Sequence, residues 1–419
     1  MKKTHNSLFY IALIACFAIM ISYTKAEWEV LYQDNYEIDW YDLYADSEKI
    51  IAVGYIIEFV NNNFQGQSYI LSSTDNGKTF DTTKVGDFFF LKAIDFPNKM
   101  DGVIGGFGQG AYTIWVHSDD SGLNWEYDIE QTTNGVADLF FLDENLGYAS
   151  GYGAGQLVDG FLQKTTDGGA SWENVGKSVD GKTFDKLYFM DEMNGYTLST
   201  FSPPGMLHKT TDGGENWATV LTDQGYLSDL HFFDKDNGIV VGGTTVYKTT
   251  DGGENWINVK VNFSDVIMEG VDFINQQEGY VVGTDTDFNG MILKTTDGGV
   301  SWTREDIPQI LDLKDVRVHN GSMYAFGKGV VLRKEVQVSV NEEQIAEINV
   351  FPNPSADYIS IDGINQDSNY KIIDLSGRVV LSGKFTENEI NLKTLSDGFY
   401  LLQIKSGEKI ITQKISVIK

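Results

Sequence analysis

The chain carries 60 Asp and Glu against 31 Lys and Arg, a net charge of -29 over 419 residues, so carboxylates dominate its chemistry. A carboxylate can ligate a divalent cation, work in a pair on a glycosidic bond, or fold a turn by accepting amide hydrogen bonds. Asp285-Thr-Asp287-Phe-Asn289-Gly290 sets oxygen ligands at alternate positions before a turn glycine, like the first half of a calcium loop. The twelfth position, where such a loop has a bidentate Glu, is Thr296, so the competing reading is an acidic hairpin tip. Asp285, Asp287 and Asn289 are the candidate metal ligands, calcium is the one cation they could hold, and no other cofactor is expected. A glycosidase pair cannot be singled out among so many acids. His117, His208, His231 and His319 are dispersed, and no Gly-x-Ser-x-Gly, His-Glu-x-x-His or complete phosphate loop occurs. The acidic balance excludes the basic footprint that nucleic acid or an anionic membrane surface requires.

The most repeated carboxylate belongs to an internal repeat. Asp75, Asp120, Asp167, Asp212, Asp251 and Asp297 each follow Ser/Thr-x and precede a glycine and then an aromatic residue: Phe80, Trp125, Trp172, Trp217, Trp256 and Trp302. They recur about 44 residues apart, the size of a four-stranded propeller blade. Upstream of most boxes lies a second element, such as Phe141-x-Asp143 leading to Gly147-Tyr148, or Phe189-x-Asp191 leading to Gly195-Tyr196. Four strands per repeat follow. A seventh set, at 313–318, 323–327 and 330–333, lacks a box and a fourth strand. Trp28, in residues 28–32, resembles the Trp-led fourth strand elsewhere, so the N-terminus is expected to close the ring. The fold class is therefore all-β: a seven-bladed β-propeller over 27–336, followed by a small antiparallel β-sandwich. The box aspartates are read as structural, with the carboxylate serving turn amides, glycine taking positive φ and Trp packing between repeats.

These boxes resemble the Asp-box, or BNR, repeat of sialidase-type and sortilin-type propellers. With the upstream element, residues 27–336 more closely resemble the photosystem II assembly and stability factor propellers. Sialidase chemistry needs several arginines around a substrate carboxylate. The propeller has only Arg304, Arg317 and Arg333, all in its last portion.

Strand alternation puts the boxes on one face and the loops between second and third strands on the other. Those loops are expected at about 60–67, 105–112, 151–160, 200–206, 243–245 and 284–290. Phe64, Phe107, Tyr112, Tyr152, Phe201 and Phe288 could there form a platform for a sugar or peptide.

The ends of the chain read as address labels. Lys2 and Lys3, the apolar run Leu8–Ile21 and the stretch to Ala26 read as a secretory signal over 1–26. A lipoprotein signal at Cys16 fits less well, because apolar residues continue to Ile21. Cleavage would remove Cys16, the one cysteine, and leave no transmembrane segment in the mature chain. A polar linker is expected at 337–346. Residues 347–419 then carry Phe351-Pro352-Asn353-Pro354, a central Asp374-Leu-Ser-Gly377-Arg378, Gly398-Phe399-Tyr400 and the terminal Lys414, Ile415, Ser416, Val417, Ile418 and Lys419. This combination resembles the type A C-terminal sorting domain of the type IX secretion system. It implies a Gram-negative source, the type IX secretion machinery as a partner and export via the periplasm to the outer surface or medium. The expected function is a secreted or surface, non-catalytic propeller binding an extracellular protein or glycan through its variable loops. The alternative is a secreted glycoside hydrolase on the same face.

Overall fold

The computed structural model describes residues 27–335 and 349–418, apart from 36–37, 61–62, 88, 109–111, 131–133, 154–159, 178, 180, 201–202, 320, 363–367, 374–378, 386–388, 397 and 407–408. The expected signal and linker lie outside the described residues. The chain divides into two compact units, 1–337 and 338–419. Among the described residues no helix is long and apolar enough to cross a membrane.

Seven four-stranded antiparallel sheets lie between Glu29 and Glu335. We number these blades 1 to 7: residues 39–87, 89–130, 134–177, 186–223, 229–259, 266–304 and 313–335. The first strand of each blade packs on the first strand of the next, and Leu313–His319 of blade 7 packs on Asp39–Ala45 of blade 1. The ring therefore closes around a channel. Blade 7 takes its fourth strand from the N-terminus, where Glu29 pairs with Arg333 and Gln33 with Val330. Trp28, 5% exposed, fills the seam between blades 6 and 7 and meets Tyr280 edge-on at 5.8 Å. It stands where the box tryptophans stand elsewhere: Trp172, for example, stacks on Trp115 of the preceding blade at 4.9 Å.

The Phe-x-Asp…Gly-Tyr element now has a physical reason. A Cβ on Gly147 would come within 2.5 Å of the Phe141 ring, so only glycine lets that phenyl lie across the strand. Asp143 accepts from the Asn145 and Leu146 amides and fixes the turn. Tyr148 stacks on Phe189 of the next blade at 3.8 Å and donates to the Glu192 carbonyl. The repeat is thus an inter-blade joint as well as a hairpin.

The inner strands are joined by carboxylates. Asp42, Asp95, Asp138, Asp229 and Asp272 each accept a backbone N–H of the following blade: Ile94 (2.9 Å), Phe141 (3.0 Å), Leu187 (2.7 Å), Val271 (2.9 Å) and Val318 (2.6 Å). The channel wall would otherwise hold these donors unpaired on the sheet edges, which is costly where water is scarce.

Two of the expected loops are mostly strand: in 105–112 the described residues belong to Gly102–Gly108 and Tyr112–Ser118. Residues 60–67 belong largely to a long hairpin in which Ile50–Val60 pairs with Asn63–Ser73 out to Val60 opposite Asn63.

In the second unit, a three-stranded sheet (349–351, 358–362, 389–391) and a four-stranded one (369–373, 379–384, 398–406, 409–417) enclose Ile359, Ile372, Leu402, Ile404 and Ile415. The Phe-Pro-Asn-Pro segment and the terminal strand hold each other. Asn353 Oδ1 accepts from the Ser416 amide at 2.8 Å, and Ser355 N–H donates to the Ser416 carbonyl at 2.9 Å.

Candidate functional site

The six box carboxylates are consumed locally. In the third box Asp167 accepts from the Ser171 amide (2.9 Å), the Ser171 hydroxyl (2.6 Å) and the Thr165 hydroxyl (2.7 Å). The Gly169 amide closes the circuit onto Thr165 Oγ1 at 2.9 Å. Asp75, Asp120, Asp212, Asp251 and Asp297 repeat the pattern with Thr79, Asn124, Asn216, Asn255 and Ser301. These bonds hold the carboxyls below their ordinary range; the Thr79 amide, as the largest cause, takes Asp75 to about 2.

The principal concavity lies on the opposite face. A funnel of about 810 Å³ opens where inner strands begin and second strands end. Its lining has a specific origin. In five blades the inner strand carries a β-bulge, and the extra residues are Tyr41, Lys92, Ala137, Glu269 and Lys314. A bulge turns its extra side chain out of the ladder, and all five line the funnel.

An aromatic wall runs across blades 1 to 3. Tyr41 stacks on Tyr55 (4.7 Å), Tyr55 meets Phe90 edge-on (5.0 Å), Phe90 stacks on Phe107 (4.7 Å) and Phe107 meets Tyr152 (5.7 Å). Lys92 Nζ lies 3.4 Å from the Tyr41 ring centroid and 5.3 Å from that of Tyr55. Burial, reinforced by Lys314 and Lys186, pushes the Lys92 ammonium down to about 7. Burial likewise raises the Glu269 carboxyl and the Tyr41 and Tyr152 phenols.

The funnel is floored by ions. Lys186 reaches across the ring to Asp315 (2.9 Å), and Arg317 holds the same carboxylate at 2.8 Å while lying 3.7 Å from Asp42 and 3.9 Å from Asp229. Burial opposes the charge on both cations, but the surrounding carboxylates outweigh it and keep them charged. Below this floor a second cavity of about 300 Å³ is lined by Asp95, Asp138, His231, Asp272 and His319. There His231 Nδ1 lies 2.9 Å from Asp272. Arg317 is thus committed to this ionic floor.

Of the aromatic residues proposed from sequence, Phe107 and Tyr152 line the funnel together. Tyr112 and Phe288 are exposed outside its lining, Phe288 at 72% on a hairpin tip with φ of 63°. Phe64 is on the long hairpin, and Phe201 lies outside the described residues. Asp285 spends its oxygens on the Asp287 and Asn289 amides and the Asn289 side chain, with Arg304 3.7 Å away. Among the described residues no three His, Cys, Asp or Glu side chains group as a metal site. Lys414–Val417 form the end of the last strand, paired to 398–401; Ile418 follows it, and Lys419 is outside the described residues. Sequence reasoning missed Tyr41, Tyr55, Lys92 and the floor.

Comparison with known proteins bears on both units. Residues 220–320 match the family model described as photosynthesis system II assembly factor YCF48, and residues 349–419 match the secretion system C-terminal sorting domain. The structure of YCF48 bound to D1 peptide superposes with a TM-score of 0.56 at 15% identity, over 76% of this chain and 98% of that one. PorZ, a surface component of the type IX secretion system of Porphyromonas gingivalis, gives 0.52 at 13% identity, over 91% and 59%. These likenesses carry the fold. Ulvan lyase NLR42 of Nonlabens ulvanivorans is 27% identical over 137 residues, 31% of this chain, and the chain spans a quarter of that protein's length. The sorting domain implies handling by the secretion machinery and export to the cell surface or beyond. The chain therefore joins an Asp-box propeller, similar over residues 220–320 to the photosystem II assembly factor model, to a C-terminal segment that matches the type IX sorting domain.

Proposed function

We propose that this is an exported, non-catalytic propeller that binds a segment of an extracellular protein or glycan in the funnel on its loop face. One observation carries the reading: an aromatic wall from three blades stands beside a lysine inside a single open concavity. Aromatic rings offer large contact area at low entropic cost to sugars and side chains alike. The solved relative that holds a peptide supports a recognition role for this scaffold. Retention of a component of native culture medium by immobilised residues 27–419, lost in Phe107→Ala/Tyr152→Ala, tests it. Retention unaffected by the double substitution would contradict it.

A second reading, a polysaccharide-cleaving enzyme, is favoured by the lyase relative and by carboxylates in the funnel, Asp185 and Glu269. Turnover of a polysaccharide panel that disappears on substituting one of those carboxylates would establish it over binding alone.

A further inference from the structure

The funnel's charged lining consists of Lys92, Lys186, Lys314, Asp185, Glu269 and Asp315. Most of these are occupied. Lys186 and Asp315 pair with each other, and Lys314 pairs with Asp312. Asp185 accepts from the Thr183 hydroxyl and the Thr200 amide. Burial favours the neutral form of Glu269. Lys92 differs: among the described residues it has no hydrogen-bond or ion-pair partner, only the faces of Tyr41 and Tyr55. Half-buried against aromatic rings, this ammonium is incompletely solvated and has no counter-charge in contact, and a ligand anion would supply one.

Resting on the binding reading above, we propose that the funnel recognises an acidic saccharide, its anionic group pairing with Lys92 Nζ while a sugar ring lies against the Tyr41–Tyr152 aromatic wall. The class follows from the two features together. The amine selects a carboxylate or sulfate ester, and flat aromatic faces select a ring with apolar C–H surfaces. The overall acidity of the chain does not forbid this. Charges beyond about 10 Å are largely screened at 0.1 M salt, and within the funnel Lys92 is the lysine whose charge no ion pair has taken up among the described residues. The groups facing Lys92 are Tyr41 and Asp39 on its blade 1 side, Tyr55, Lys314 from blade 7, and Asp185 and Lys186 from blade 4. Because burial and the two lysines leave Lys92 partly neutral near pH 7, an arriving anion should draw a proton onto it.

The test is calorimetric titration of residues 27–419 with a galacturonate tetrasaccharide, a sulfated galactan tetrasaccharide and neutral cellotetraose. The wild type should bind one or both anionic probes at least tenfold more tightly than cellotetraose. At pH 7 that binding should take up protons, seen as heat that varies with buffer ionisation enthalpy. Lys92→Met should lose the tenfold preference while melting cooperatively, and Lys92→Arg should retain part of it. Binding of one anionic probe alone assigns carboxylate or sulfate. Equal binding of cellotetraose, weakened by Phe107→Ala/Tyr152→Ala, overturns the inference and leaves the binding reading standing. Anion binding without proton uptake, or binding unchanged in Lys92→Met, overturns the role of Lys92. Absence of binding by all three probes overturns the saccharide class, and the retention experiment then judges the binding reading separately. If the Met variant does not fold, the Arg variant decides the role of Lys92: its guanidinium stays charged, so proton uptake at pH 7 should be lost in it, and uptake that persists overturns the role.

Discussion

Lys186 and Asp315 lie 129 residues apart in blades 4 and 7, yet their side chains meet at 2.9 Å across the channel. Asp315 is almost fully buried and also holds Arg317, so two cations share one carboxylate. Asp315→Asn should therefore cost about 3 kcal/mol in urea denaturation, because it takes from two part-buried cations the carboxylate they both contact. Lys186→Met with Asp315→Asn should cost less than the sum of the single changes. Additive losses would show that the contact does not brace the ring.

The buried acids set an unusual pH dependence. Burial pushes Asp95 up to about 6 and Asp138 up to about 7, and raises Asp229 as well. A carboxyl raised by folding contributes fully below its unfolded value, and the contribution is lost as pH rises through the folded one. His117 and His319, whose charged forms burial disfavours, oppose this below their ordinary value. Three carboxyls outweigh two imidazoles, so the melting temperature should fall between pH 5 and pH 7. Asp138→Asn should flatten the slope; a slope unchanged in that variant would contradict the assignment.

Trp28 should be a disproportionately important residue for so terminal a position. It is buried between blades 6 and 7, with Lys334 5.7 Å above its ring and the buried Lys334–Glu305 pair alongside. Trp28→Ala should destabilise by about 3 kcal/mol or more, as large aromatic truncations in a core do. Deleting 27–32 should further expose the edge of Val330–Glu335 and lower solubility. A deletion that melts like the full chain would remove N-terminal closure from the account.

In the sorting unit, the Pro-Asn-Pro opening and the terminal strand depend on each other through Asn353 and Ser416. Asn353 also donates to the Lys414 carbonyl at 3.0 Å. Asn353→Ala should loosen residues 414–418, seen as faster amide exchange there, and reduce export in the native host. Deleting 414–419 should trap a folded propeller in the periplasm. Normal appearance of that deletion outside the cell would contradict the sorting role.

The repeat was legible because a carboxylate, a glycine and an indole return at blade spacing, and each has one local job. Trp28 was legible for the same reason. The funnel was less so. Bulged residues such as Tyr41 and Lys92 look like ordinary strand residues, since an extra residue in a ladder leaves no compositional mark. Asp42 and Asp138 bond to the next blade, a relation with no local signature. The 60–67 stretch looked like a loop because its polar residues Asn62, Asn63 and Gln65 are those of a turn. Pairing through the backbone does not depend on them.

On the proposed reading the funnel, rather than the rim, takes the ligand. The direct measurement is the affinity of residues 27–419 for the component retained from native medium, compared between two double variants. Phe107→Ala/Tyr152→Ala, inside the funnel, should weaken binding at least tenfold. Tyr112→Ala/Phe288→Ala, on exposed positions outside it, should leave binding within twofold. The reverse pattern would place recognition on the loop tips and contradict the account.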